Sequence, residues 1–411
     1  MAENLTPSTE RVSTFSSLRN RNYRWFWMGS LASFGAMQMQ LLARGWLVYE
    51  LTSSTLALGI VTAGFGLPMV TISLLGGVVA DRLPKRRVIM LSQTTSAMIG
   101  LIIGVLIWTG NIQIWHLFAS AVAGGTTFAF NGPARQAFTP ELVGKGELMN
   151  AFAINSAGLN LMRILGPAAA GFLVAFIGVD GVYFISVALY FASAGTVAMV
   201  SVSGKPGQPR TTSAWADLKE GLEYARSNTI IFPLLVMAFV VAIFAMPSQF
   251  LMPAFAKDVL GVGEIGLGWL MAMMGVGAIG GSLGIASMGN FQRKGLLLLG
   301  TSLTLGLFLT LFSLSDSFYL SLGLLAGVGL GNAGFMAMNN ALLLTYAEAG
   351  KRGRVASLYL VSMGFMPLAV LPMGYAAEFW GVSLAVGAGA AMVVIATLVF
   401  GAVLPQIRRL A

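Results

Sequence analysis

The sequence predicts an all-α membrane protein of twelve transmembrane helices arranged as two pseudo-symmetric six-helix bundles. Three observations predict it. The chain has 411 residues, of which 56% are hydrophobic and 9% charged, whereas a soluble domain carries about a quarter charged residues. There are too few charges to solvate a globular surface, so lipid has to cover most of it. Apolar runs near twenty residues long recur along the chain, the length a helix needs to cross the hydrocarbon core. Basic residues gather in alternate gaps between those runs, and that rhythm decides which side of the membrane each gap faces.

The spans read 23–49, 55–80, 86–109, 113–133, 149–176, 179–201, 230–256, 264–288, 294–314, 318–343, 355–376 and 381–404. Their order gives an N-terminal tail (1–22), a first bundle (23–201), a central loop (202–229), a second bundle (230–404) and a C-terminal tail (405–411). All Lys and Arg residues fall in the cytosolic gaps and tails except Lys257, Arg44 and Arg163, so both termini are expected in the cytosol. The first 22 residues hold no apolar core, so no cleaved signal peptide is expected. The central loop begins with Gly204, Pro206, Gly207 and Pro209. Its second part reads either as a helix in the headgroup plane, with Trp215, Leu218, Leu222 and Ala225 on one face, or as a solvated connector.

The same composition excludes several functions. A net charge of +9 suits the anionic inner leaflet and not nucleic acid, because the basic residues never form one patch. With no cysteine and one histidine, His116, no conventional metal site is expected, and no cofactor. No Walker-type sequence is present. Without a clustered nucleophile, base or metal site, an enzyme is not expected. Gly275-Val276-Gly277-Ala278-Ile279-Gly280 matches a dinucleotide fingerprint in letters only. It lies in an apolar span, where glycines serve close helix packing.

The halves echo each other. Gly171, Phe176 and Gly178 recur at the same spacing as Gly374, Phe379 and Gly381, and Arg86-Arg87 is echoed by Arg293-Lys294. Two repeated halves joined by a long loop is the layout of many secondary transporters, with the binding site at the interface of the halves.

The strongest local signal is Gly76-Gly77-Val78-Val79-Ala80-Asp81-Arg82-Leu83-Pro84-Lys85-Arg86-Arg87. It resembles the loop 2–3 signature of the major facilitator superfamily. Gly45-Trp46-Leu47-Val48-Tyr49-Glu50-Leu51-Thr52, Pro133-Ala134-Arg135-Gln136-Ala137-Phe138, Leu165-Gly166-Pro167 and Arg352-Gly353-Arg354-Val355 are similar to one branch of it. That branch is the enterobactin-exporter-like group, also called transmembrane secretion effectors or drug–proton antiporters. The resemblance implies a proton-driven exporter of drugs or siderophores in the bacterial cytoplasmic membrane. It also implies a conformational latch at Asp81 with Gly77, Arg82 and Arg86, and Arg135, Glu141, Arg352 and Arg354 are grouped with it.

Polar residues recur on single helical faces. Span 1 carries Ser33, Met37, Gln40 and Arg44. Span 4 carries Ser120, Gly124, Thr127 and Asn131, and span 5 carries Ser156, Asn160, Arg163 and Pro167. Gln249 lies in span 7, and Asn332 and Asn339 stand two turns apart in span 10. Polar groups do not face hydrocarbon without large cost, so these stripes line a substrate path or bond to neighbouring helices. Arg44 and Arg163 are intramembrane cations, and no Asp or Glu falls in mid-span. An anionic or neutral amphipathic substrate is therefore expected, moved by a monomer. The proton-coupling candidates are all peripheral: Glu50, Asp81, Glu141 and His116. A facilitator or importer of a small metabolite, and a non-transporting membrane sensor, are the alternatives.

Overall fold

In the computed structural model the described residues are 16–72, 79, 82–204, 214–288, 292–348, 351–408 and 410. Gly77 and Asp81 lie outside them, as do Pro206, Gly207 and Pro209. Among the described residues every regular element is helical. Among the described residues eight helical stretches, Ile231–Val259 and Arg352–Trp380 among them, are both long and apolar enough to cross a membrane.

Helix α1 runs Arg21–Thr52 and starts where the Asn20 side chain accepts from the backbone N–H groups of Asn22 and Tyr23. That satisfies two of the donors every helix N-terminus leaves open. It stops at Ser53, which takes the left-handed conformation. Ser54 then caps α2 (Thr55–Thr71) through the Ala57 N–H. Helix α3 (Lys85–Trp108) follows Pro84, and α4 (Ile114–Leu142) opens on a reciprocal cap between Gln113 and His116.

The 51-residue α5 (Leu148–Ala198) is two arms meeting at Gly178, which has φ 76° and ψ 171°. Gly381, between α12 (Met366–Trp380) and α13 (Val382–Val403), has φ 85° and ψ 152°. Only glycine takes these backbone angles cheaply. The spacing repeat seen in the sequence therefore marks two matching corners.

Between these lie α6 (Ala214–Ser227), α7 (Ile231–Phe244), α8 (Gly263–Ser287), α9 (Lys294–Ser313), α10 (Phe318–Tyr346) and α11 (Arg352–Gly364). Two expected spans are broken. The stretch 230–256 is helical only to Phe244, then runs through 3₁₀ and π turns from Met246 to Val259 around Pro247 and Pro253. The stretch 355–376 breaks at Phe365, ahead of Pro367. Proline removes a backbone donor and clashes with the preceding turn.

Helices α1 to α5 pack on one another, and α7 to α13 do likewise. Two seams join the sets, α2 on α12 and the first arm of α5 on α8. Each seam closes over a repeat glycine. A Cβ on Gly171 would lie 2.5 Å from the Gly268 Cα, and one on Gly374 would lie 2.5 Å from the Thr55 carbonyl oxygen. Helix α6 docks Gly221, Tyr224 and Ala225 against α11 and α7. Leu222, expected on its apolar face, is 40% exposed. Ala225, expected on the same face, is fully buried, and Gly221 permits close approach to Arg354.

Candidate functional site

A cavity of about 340 Å³ lies among α1 to α5. Its described lining residues run from Phe26 to Tyr190, so the first part of the chain supplies them all. On α1 the lining extends from Phe26 to Arg44, about 27 Å of helix at a rise of ~1.5 Å per residue. Neither α1 nor α4 is among the eight most apolar long helices. The polar stripes that lower their hydropathy are the ones that line the cavity.

Ser33, Met37, Gln40 and Arg44 of α1 line it, as do Ser120, Gly124, Thr127 and Asn131 of α4 and Ser156 of α5. Most stripe hydroxyls donate to their own helix. Ser30 Oγ donates to the Phe26 carbonyl at 2.9 Å, Ser120 to Leu117 at 2.8 Å and Thr127 to Gly124 at 2.8 Å. Such bonds let a hydroxyl sit in a helix without a partner from elsewhere.

Two arginines share this cavity and are held differently. The expected end of span 4 was Pro133, yet α4 continues to Leu142, so Arg135 sits inside a helix and not in a loop. Its guanidinium donates to Ser30 Oγ at 2.6 Å, Ser193 Oγ at 3.1 Å and Asn131 Oδ1 at 3.2 Å. Its Cζ lies 5.4 Å from the Phe26 ring centroid. Arg135 thus ties α4 to α1 and to the second arm of α5. Arg44 is 7% exposed, and its Cζ lies 5.9 Å from the Phe65 ring centroid. Among the described residues no hydrogen bond or ion pair reaches it. Among the described residues no carboxylate lines the cavity.

The other expected path residues lie elsewhere. Arg163 reaches the Met336 sulfur across the α5–α10 gap at 3.7 Å, with Tyr359 as an electrostatic neighbour. Gln249 reaches the Met366 sulfur at 3.6 Å. Asn160 is exposed, and Asn332 and Asn339 are on α10. The Asn339 side chain is fully buried, with neither amide atom hydrogen-bonded.

Residues grouped with the latch are held locally. Lys85 Nζ pairs with Glu141 Oε1 at 2.7 Å. Arg86 donates to the carbonyls of Val197 and Ala198 at the end of α5, where a helix presents open acceptors and negative partial charge. Arg82 is exposed. Arg352 donates to the Ala347 carbonyl at 3.3 Å, and Arg354 pairs with Glu220 of α6 at 2.7 Å. Among the coupling candidates, His116 Nδ1 accepts from the Gln113 N–H at 3.0 Å and stacks on Trp115, and Glu50 is exposed.

Two acids that sequence reading passed over join the sets of helices at the Tyr49 end. The Tyr49 hydroxyl donates to Asp258, and Lys257 lies 5.9 Å from the Tyr49 ring. Glu378 of α12 accepts from Ser54 Oγ at 3.0 Å, Thr55 Oγ1 at 3.0 Å and the Leu56 N–H at 3.1 Å, so it caps α2 across the seam. The available signal was two acids in gaps otherwise nearly free of charge. Gln93, Tyr183 and Tyr190, which also line the cavity, were equally readable as polar breaks in apolar runs.

Helices packed this way around an intramembrane polar cavity define a multi-pass transporter, and solved transporters share the fold. A bacterial homologue of the human lysosomal transporter Spinster superposes with a TM-score of 0.71 at 14% identity, over 95% of this chain and 98% of that one. The chain belongs to the transmembrane secretion effector family of major facilitator transporters, whose model matches residues 12–410. It is 27% identical to the multidrug efflux pump Tap of Mycolicibacterium fortuitum over 344 residues, 81% of this chain and 82% of the pump. It is also 27% identical to the enterobactin exporter EntS of Escherichia coli O1:K1 over 314 residues, 76% of this chain and 74% of the exporter.

Proposed function

We propose that the chain is a proton-coupled exporter of an amphipathic small molecule, anionic or neutral, working by alternating access in the bacterial cytoplasmic membrane. The observation that carries this reading is the polar cavity among α1 to α5, combined with contacts at the Tyr49 end that tie one set of helices to the other. Breakable contacts between the two sets of helices are what rocking of one half against the other needs. The names of its relatives, a multidrug efflux pump and an enterobactin exporter, support export of drug-sized or siderophore-sized cargo.

The architecture proposed with it is twelve spans in two six-helix bundles, acting as a monomer with both termini in the cytosol. In that orientation Asp258 and Glu378 form the outer closure. Lys85, Arg86 and Glu141 stand at the inner end. Since no described cavity residue is an acid, proton carriage falls to the closures, and Asp258 and Glu378 join Glu50, Asp81, Glu141 and His116 as candidates.

The test is flux in proteoliposomes with and without an imposed pH gradient, using dyes and organic acids as cargo. Faster movement against the gradient is expected. Equal rates would remove the proton coupling, and uptake of permanent cations in preference to acids would remove the cargo class.

A further inference from the structure

We propose that Arg44, Gln40 and Tyr183 form an oxyanion subsite in the first-half cavity that holds the carboxylate or phenolate of an amphipathic cargo. The cargo rests on the exporter reading above; the subsite rests on geometry.

Three polar groups line one end of the cavity without hydrogen-bond partners among the described residues. Arg44 is 7% exposed and Tyr183 2%, and both line it with Gln40. The Tyr183 hydroxyl and the Gln40 Nε2 make no hydrogen bond, and Gln40 packs at Gly100 and Tyr183 at Gly104, one turn apart on α3. Tyr183 and Tyr190 are the electrostatic neighbours of Arg44.

A desolvated cation with no counter-charge is costly, and Arg44 meets no acid here. Arg135 shows that the same cavity can satisfy a guanidinium when it needs to, with three side-chain acceptors. Arg44 has its five donors in a planar fork, the geometry that matches a carboxylate. The Gln40 amide and the Tyr183 hydroxyl add donors to an oxyanion. Phe34, Phe65, Phe128 and Ile99 supply the apolar wall for its body, the usual mix for a small-molecule site.

The experiment uses the full chain, purified into nanodiscs of uncharged lipid, and titrates three probes of one shape by calorimetry. These are 1-naphthoate, neutral 1-naphthamide and cationic 1-naphthylmethylammonium. Wild-type protein is expected to bind naphthoate at least tenfold more tightly than either analogue. Arg44→Gln is expected to weaken naphthoate at least tenfold and naphthamide less than twofold. Arg44→Lys should keep part of the preference, Tyr183→Phe should weaken naphthoate about threefold, and the exposed control Arg87→Gln should change nothing. Gel filtration and thermal melting check that each variant folds. Should Arg44→Gln fail to fold, the Lys and Phe variants carry the test.

Wild-type protein that binds no naphthoate, or shows no preference for it, overturns the subsite. So does a preference that survives Arg44→Gln or, where that variant does not fold, one unaltered in both Arg44→Lys and Tyr183→Phe. The exporter reading fails separately, if wild-type protein binds naphthoate through Arg44 yet moves no solute in proteoliposomes.

Discussion

In the first part of the chain, α1 and α4 carry polar stripes along a cavity, and α4 packs closely on α2 at Gly125, where a Cβ would lie 2.2 Å from the Phe65 carbonyl oxygen. In the second part, the helices in the same order are α7 and α10. Helix α7 is apolar throughout, and α10 packs through glycines. A Cβ on Gly329 would lie 1.8 Å from the Met274 carbonyl oxygen, and one on Gly331 would lie 2.4 Å from the Leu305 nitrogen. The repeat preserves the corners at Gly178 and Gly381 and the seams at Gly171 and Gly374. What differs is the remaining face of the equivalent helices: α1 and α4 carry polar stripes along a cavity, where α7 is apolar. Duplication can copy a scaffold while side chains at a few positions set the polarity of each copy.

The largest expected effect comes from forcing the close-packed side apart. Gly329→Leu drives a side chain into the α8 backbone, and overpacking of this kind costs about 1–3 kcal/mol and occasionally more. The variant should be recovered mostly aggregated by gel filtration. Gly124→Ala, on the cavity wall, adds a Cβ 3.8 Å from the Phe65 ring and should leave the melting temperature within error. If both variants melt alike, the contrast between the two regions fails.

Next in size is a comparison of satisfied and unsatisfied polar groups. Arg135→Gln removes three charged hydrogen bonds, to Ser30, Ser193 and Asn131, which individually contribute about 1.5–3 kcal/mol. A clear fall in melting temperature is expected. Asn339→Leu replaces a buried amide that makes no hydrogen bond, and such a swap is neutral or stabilising when the shape is kept. A large loss of stability in Asn339→Leu would show that the second part hides a polar network of its own.

The seam at the Tyr49 end gives a smaller effect, read by accessibility. The chain has no cysteine, so a single Ser383→Cys reports on the pocket it lines with Glu378 and Asp258. Adding Glu378→Gln should raise labelling by a membrane-impermeant maleimide several-fold, since the charged cap on α2 is lost. Unchanged labelling would mean that the seam is held by the glycine crossings alone. Smallest of all is Arg354→Gln. Its pair with Glu220 is 29% and 51% exposed, and exposed ion pairs contribute about 0–1 kcal/mol. Its melting temperature should shift by no more than a degree or two.

The run lengths and the charge rhythm made the helical membrane fold readable in the sequence, and the spacing of Gly171 and Gly178 against Gly374 and Gly381 gave the repeat. The stripes of α1 and α4 were readable because a polar residue every three or four positions has one face to occupy. Arg135 was misplaced because Pro133 looked like the end of a span. A helix lining a cavity does not end where its hydropathy falls, and α4 runs nine residues beyond that proline. Glu378 and Asp258 were missed because their partners, Ser54, Thr55 and Tyr49, are more than two hundred residues away in the chain. Spacing carries no information about which gaps meet. The same limit hid the difference between Arg44 and Arg135, which is a difference in neighbours.

A hollow that contains an unanswered guanidinium and no carboxylate has an electrical consequence. If a monoanion is what fills it, its outward passage runs with the resting voltage of a cell that is negative inside. Each 100 mV then contributes about 2.3 kcal/mol per charge moved. Membrane voltage would be a driving force in its own right, so an ionophore that collapses it at constant pH should slow expulsion of acids more than that of uncharged cargo, whose exchange for a proton moves one charge fewer.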